Sequence, residues 1–184
     1  MAGKNITFKD VEKVHTKFNE LSQQHWEENV FLTWRWWSLL AFLIVPWVIW
    51  WKLVERNRKQ ELLVYGFSVS LLAFTLDSIG SNLDLWEYPY TLFHGLPLLF
   101  ALNISFLPVS LMLIYYYFTS FKRFLIANVI AAFVFALGGQ QIFEWMGFYN
   151  LHNWRHIYSV PVYMVMTLSA YGIVKATRPG RNKL

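Results

Sequence analysis

The chain has 184 residues, a formal net charge of +5 and no cysteine; 56% of its residues are hydrophobic and 15% are charged. A soluble domain carries about 25% charged residues, and here the apolar residues fall in long runs of the length that crosses a bilayer. Without cysteine there are no disulfides, thiolate metal sites or thiol catalysis. The basic excess reads as membrane orientation and contact with anionic lipid, and nucleic acid is not expected as a partner.

Residues 1–35 form a charged, mixed segment rather than a short basic stretch followed by an apolar one, so no signal peptide is expected. Residues 6–28 are expected to form an amphipathic helix. Thr7 and Asp10 have capping-box spacing, and Val11, Val14, Phe18 and Leu21 recur at helical intervals. Such a helix lies on a membrane surface, packs on its own bundle, or binds a partner.

A transmembrane bundle is expected over residues 36–175, with spans at about 36–51, 62–83, 97–118, 124–143 and 157–174. The first is bracketed by Trp34, Trp36 and Trp37 on one side and Trp47, Trp50 and Trp51 on the other, and indoles favour the headgroup level. Pro46 is placed to kink it. The second span contains Asp77. Residues 91–96 read as an interfacial or re-entrant piece before the third, with Pro97 and Pro108 favouring irregular backbone that must be buried in protein. Residues 176–184 are a basic tail. The expected fold is therefore an all-α membrane protein, a bundle of about five transmembrane helices preceded by an amphipathic helix.

Five spans put ten of the sixteen Lys and Arg on the side of the C-terminus and six on the side of the N-terminus. The positive-inside rule then sets the N-terminus outside and the C-terminus in the cytoplasm. A shift of 59 residues aligns 71–92 with 130–151, so that Gly80 and Trp86 meet Gly139 and Trp145. This reads either as a parallel repeat of the kind found in transporters or as two helices leaving one interface with the same Gly and Trp chemistry; the second reading is preferred.

Under this topology the second and fourth spans both run outward, and the polar residues gather at the outer end. Asp77, Asn82, Asp84 and Glu87 come from one; Gln140, Gln141 and Glu144 from the other. His94, His152, Asn153, Arg155 and His156 lie in the adjoining loops. The binding candidates are Asp77, Asn82, Gln140, Gln141, Glu144, Arg155 and His156. Asp77 leads, because a carboxylate inside a span is costly and marks a polar interior or a site. Its expected structural partners are Ser78, a glutamine of the fourth span, or Arg155. His152 and His156 have i, i+4 spacing, but no metal-site motif surrounds them, and neither metal nor cofactor is expected. No phosphate loop, nucleophile elbow or dinucleotide fingerprint occurs.

The segment 107–166, with its Pro108, its Lys122–Arg123 turn, Trp145, Tyr149, Asn153, Trp154, Tyr158, Pro161 and Tyr163, joins LDLWEYPY at 83–90 in a resemblance. These patterns resemble an uncharacterised family of small multi-spanning membrane proteins of Bacillus-like and clostridial bacteria. The resemblance covers about residues 60–170 and implies the plasma membrane of a Gram-positive cell, but no activity. It also implies Gly-Glu-Pro where this chain has Gly139, Gln140 and Gln141. The spacing of Asp77, Gly80 and Trp86 is similar to small membrane carotenoid cyclases, whose acidic motif in the next span this chain lacks.

Three functions stay open: a non-enzymatic structural, accessory or lipid-associated protein; a small transporter or sensor with a polar site around Asp77; and a membrane enzyme acting on an apolar substrate. The first is preferred for the short loops and sparse intramembrane charge. Expected partners are the lipid bilayer and either another membrane protein or a second copy of the chain.

Overall fold

A computed structural model of the chain describes residues 6–96 and 99–177. The expected start of the third span at Pro97 and most of the basic tail lie outside the described residues. The described chain is almost wholly helical. Four helices are long and apolar enough to cross a membrane: Trp34–Leu53, Arg56–Asn82, Phe121–Trp145 and His156–Thr177. A fifth apolar helix, Leu102–Tyr117, is shorter. Large apolar side chains such as Val48, Phe67, Leu71, Ile130 and Val165 remain exposed along these helices, on a scale that marks a membrane-embedded surface.

In chain order, α1 (Phe8–His25) begins at Thr7, whose backbone N–H and hydroxyl both donate to Asp10 Oδ2 at 2.9 and 2.8 Å. None of its residues is buried, so its apolar stripe does not pack on the bundle. A π turn at Trp26–Val30 and a bend at Leu32 (φ 57°) lead into α2 (Trp34–Leu53), capped by Thr33 and running through Pro46 without ending. α3 (Lys59–Asn82) follows, then a two-residue strand, β1 (Trp86–Glu87). A π turn at Leu102–Phe106 opens α4 (Leu107–Tyr117). α5 (Phe121–Phe133) continues through a third π segment, Val134–Gly139, into α6 (Gln140–Trp145). β2 (Asn150–Leu151) pairs antiparallel with β1, and α7 (Ser159–Thr177) closes the described chain.

α3 packs on α4 and α7, and α5 packs on the same two helices, so the four close a ring; α2 lies outside it against α4 and its π turn. At the basic end, where α3 and α5 begin, Trp50, Leu62, Tyr65, Met112, Phe124 and Val174 share one apolar cluster. Gly66 lets α3 and α4 approach there, since a Cβ at that position would overlap the Met112 sulfur. At the opposite end Leu39, Leu92, Phe143, Phe148 and Tyr149 form a second cluster.

α3 and α6 leave the ring at this second end through the same device. Asp84 (φ 55°) and Gly147 (φ 78°) are left-handed, and in each case the next residue's N–H reaches back to a carbonyl five residues earlier: Leu85 to Gly80, Phe148 to Phe143. This is a Schellman cap. Equivalent caps are therefore 63 residues apart, so the 59-residue register is one helical turn out. Trp86 folds over Gly80, whereas Trp145 is 87% exposed and Gly139 has no ring against it. The similarity is one of shared exit chemistry.

Candidate functional site

The site begins with β1. After the cap at Asp84 the chain turns back along α3, and residues two apart in a strand face the same way. Trp86 and Tyr88 therefore both point at the ring, while Glu87 points outward to Asn150 and His152. Trp86 lies directly on Gly80, where a Cβ would overlap its ring. That contact brings its indole Nε1–H within 3.0 Å of Asp77 Oδ1. The Tyr88 hydroxyl donates to the same oxygen in a short hydrogen bond. From the π turn ahead of α4, buried Asn103 donates its amide to Asp77 Oδ2 at 2.6 Å. π turns recur where a helix must present a side chain at a functional position.

Asp77 is 8% exposed and receives three uncharged donors, and among the described residues it takes part in no ion pair. None of the expected partners, Ser78, a span 4 glutamine or Arg155, is the one it has. Hydrogen bonds to an ionised acceptor are the strong kind, and three of them offset part of the cost of burying a charge. Burial, and then the Asp77 charge, push the Tyr88 phenol well above its ordinary value; burial, Tyr163 and Asp77 push Tyr149 up in the same sense. Both stay neutral phenols at physiological pH.

A second polar group faces the first across the ring. Gln140 Nε2 donates to Ser159 Oγ at 3.0 Å and to the Tyr163 hydroxyl at 3.1 Å. Trp154 Nε1 also donates to Ser159 Oγ, at 3.0 Å. His156 joins this group to the surface, with Nδ1 3.2 Å from Gln140 Oε1 and Nε2 2.9 Å from Glu144 Oε2. The third π segment, ending at Gly139, immediately precedes Gln140.

Between the two groups lies a cavity of about 300 Å3 whose wall is drawn from α3, the π turn and first residue of α4, the π segment and α6 that continue α5, and α7. Ala73, Leu102, Phe135 and Met166 represent its apolar wall; Asp77, Asn103, Gln140, Ser159 and Tyr163 supply its polar one, and Trp86, Tyr88 and Tyr149 cover its end. This is the composition of a small-molecule site: mostly apolar, with a few convergent polar groups. Asp77 and Gln140, far apart in sequence, meet on its wall.

The other sequence candidates stand elsewhere. Asn82 turns back to the Ser78 carbonyl of its own helix at 2.7 Å. Gln141 and Arg155 are exposed. Glu144 reaches the site only through His156. The histidine pair separates, because residues 152–155 are not helical: His152 stands 3.6 Å from Glu87, and His156 turns to Glu144. Among the described residues no three His, Asp and Glu side chains gather as a metal site would require. Sequence reasoning missed Trp86, Tyr88, Asn103, Trp154, Ser159 and Tyr163 as site residues. Two signals were available: the alternation of Trp86 and Tyr88 after the helix exit, and Asn103 as the lone amide of its span.

Comparison with protein-family models, with curated proteins and with solved structures gave no match.

Proposed function

We propose that this is a non-enzymatic, lipid-associated protein of the plasma membrane that holds a small, largely apolar molecule in the chamber beside Asp77. The cavity carries this reading: an apolar chamber within a ring of membrane helices, with one carboxylate on its wall. The short helix Leu102–Tyr117 counts as the third of five spans, and the Lys and Arg distribution favours the N-terminus outside and the C-terminus in the cytoplasm. On this reading the chamber opens toward the outer leaflet, and α1 lies on the bilayer surface by its exposed apolar stripe. The aromatic and proline patterns support membership of the Bacillus-like and clostridial family they resemble.

The buried carboxyl of Asp77, which makes no ion pair among the described residues, favours one second reading, a small transporter or sensor that binds and releases its ligand at the same site. Catalysis has less support. Both Asp77 oxygens are engaged by protein donors, and among the described residues no second carboxylate or histidine lines the cavity. A general acid–base pair would need one within reach of the same substrate.

Native mass spectrometry of the protein purified in mild detergent, beside Asp77→Asn, tests the proposal. A small molecule of defined mass retained by wild type and lost or weakened in Asp77→Asn is the expected result. A second protein retained equally by both would replace it with an accessory-subunit function.

A further inference from the structure

We propose that the molecule in this chamber carries an organic ammonium group, seated at Asp77 with its aliphatic part along the apolar wall. The inference rests on the ligand-binding reading above and names the chemical class of the ligand. Two independent features lead to it. The first is charge. Asp77 accepts from Trp86, Tyr88 and Asn103, none of which is cationic. A carboxylate offers about four acceptor positions, so three donors leave one, and Asp77 lines the cavity. A buried carboxyl with no cation beside it among the described residues is expensive to ionise, and a cationic ligand would supply the partner charge.

The second feature is the rings. Tyr88 stacks on Tyr149 with centroids 5.6 Å apart and planes at 23°. Trp154 meets Trp86 edge to face at 5.4 Å. These four rings and Tyr163 all belong to the cavity wall that holds Asp77. The face of an aromatic ring attracts a cation, most strongly where water is excluded, and rings around a cation are a recurrent way to recognise ammonium groups. A neutral head gains less from these rings and brings no charge to Asp77, and an anionic head is repelled by it. The apolar remainder of the wall asks for a hydrocarbon chain rather than a bare inorganic cation.

The test uses two probes of equal chain length, n-decylamine and 1-decanol, added to the full-length protein in non-ionic detergent at neutral pH and read by native mass spectrometry as one-to-one adducts. Wild type is expected to retain the amine about tenfold more strongly than the alcohol. Asp77→Asn is expected to bring the amine down to the level of the alcohol measured in the same variant. Equal retention of the two probes by wild type overturns the ammonium inference and leaves the chamber intact. An amine preference that persists in a folded Asp77→Asn protein overturns the role of Asp77. Retention of neither probe overturns the binding reading itself. The wild-type comparison decides the question even where the variant fails to fold.

Discussion

Gly80 shows how one missing side chain organises the site. A glycine inside a helix costs about 1 kcal/mol relative to alanine, so Gly→Ala in an open helix is stabilising. At Gly80 a Cβ would overlap the Trp86 ring, whereas at Gly172 of α7 nothing lies within 4 Å. Overpacking costs about 1–3 kcal/mol, which exceeds the propensity gain. Gly80→Ala is therefore expected to lower the thermal midpoint and Gly172→Ala to raise or keep it. Equal midpoints would show that Trp86 does not rest on Gly80. Asp77 was legible in the sequence because an ionisable residue inside a span stands out against its neighbours. Its donors were not, because Trp86 and Tyr88 read equally well as interfacial aromatics. Only the cap at Asp84, a left-handed aspartate with no glycine to announce it, turns them back onto the ring. Asn82, Gln141 and Arg155 are near the site in sequence only: helical rotation turns Asn82 from Asp77 and Gln141 from Gln140, and Arg155 stands exposed in a non-helical loop.

The helices follow their apolar runs closely, since a bilayer segment must satisfy every backbone group internally. Observed helices exceed the expected spans by two or more residues at most ends: Trp34–Leu53 against 36–51, and Phe121–Trp145 against 124–143. The excess is amphipathic. Lys59, for example, lies 3.6 Å from the Trp51 ring centroid at the basic end, and Arg35 lies 4.4 Å from that of Tyr90 at the other. A hydropathy reading stops at the first charge, whereas the helix goes on. The π turns before Leu107 and Gln140 leave no mark in hydropathy, yet they precede or contain both site amides, Asn103 and Gln140. Sidedness is decided by the number of spanning helices, and with it by the short Leu102–Tyr117. Counting that helix as a span puts the two chain ends on opposite faces. A single cysteine introduced as Lys183→Cys in this cysteine-free chain is expected to resist an impermeant maleimide in intact cells and to react after lysis. Labelling of intact cells would mean an outside C-terminus and an inverted topology.

At the scale of the whole molecule, the chamber lies among α3, α4, α7 and the continuation of α5 through its π segment into α6, and α2 and α1 stand outside it. The all-helical membrane architecture was legible from composition and run length alone. Which helices form the ring was not, because apolar residues facing lipid and apolar residues facing a core look the same in one sequence. The ring is what makes a cavity of about 300 Å3 possible, and the chamber is the basis of the proposed function. Ala73 tests it most directly. This residue of α3 lines the cavity and is 6% exposed. In a close-packed interior Ala→Leu is overpacking and costs about 1–3 kcal/mol; in an apolar void it adds contacts. The measurement is the thermal unfolding of Ala73→Leu beside wild type in the same detergent, with retention of n-decylamine read in parallel. The expected result is a midpoint equal to or above that of wild type together with loss of the bound amine, because the new side chain occupies the ligand's place. A midpoint several degrees lower, or unchanged retention of the amine, would contradict the existence of the chamber as the binding site.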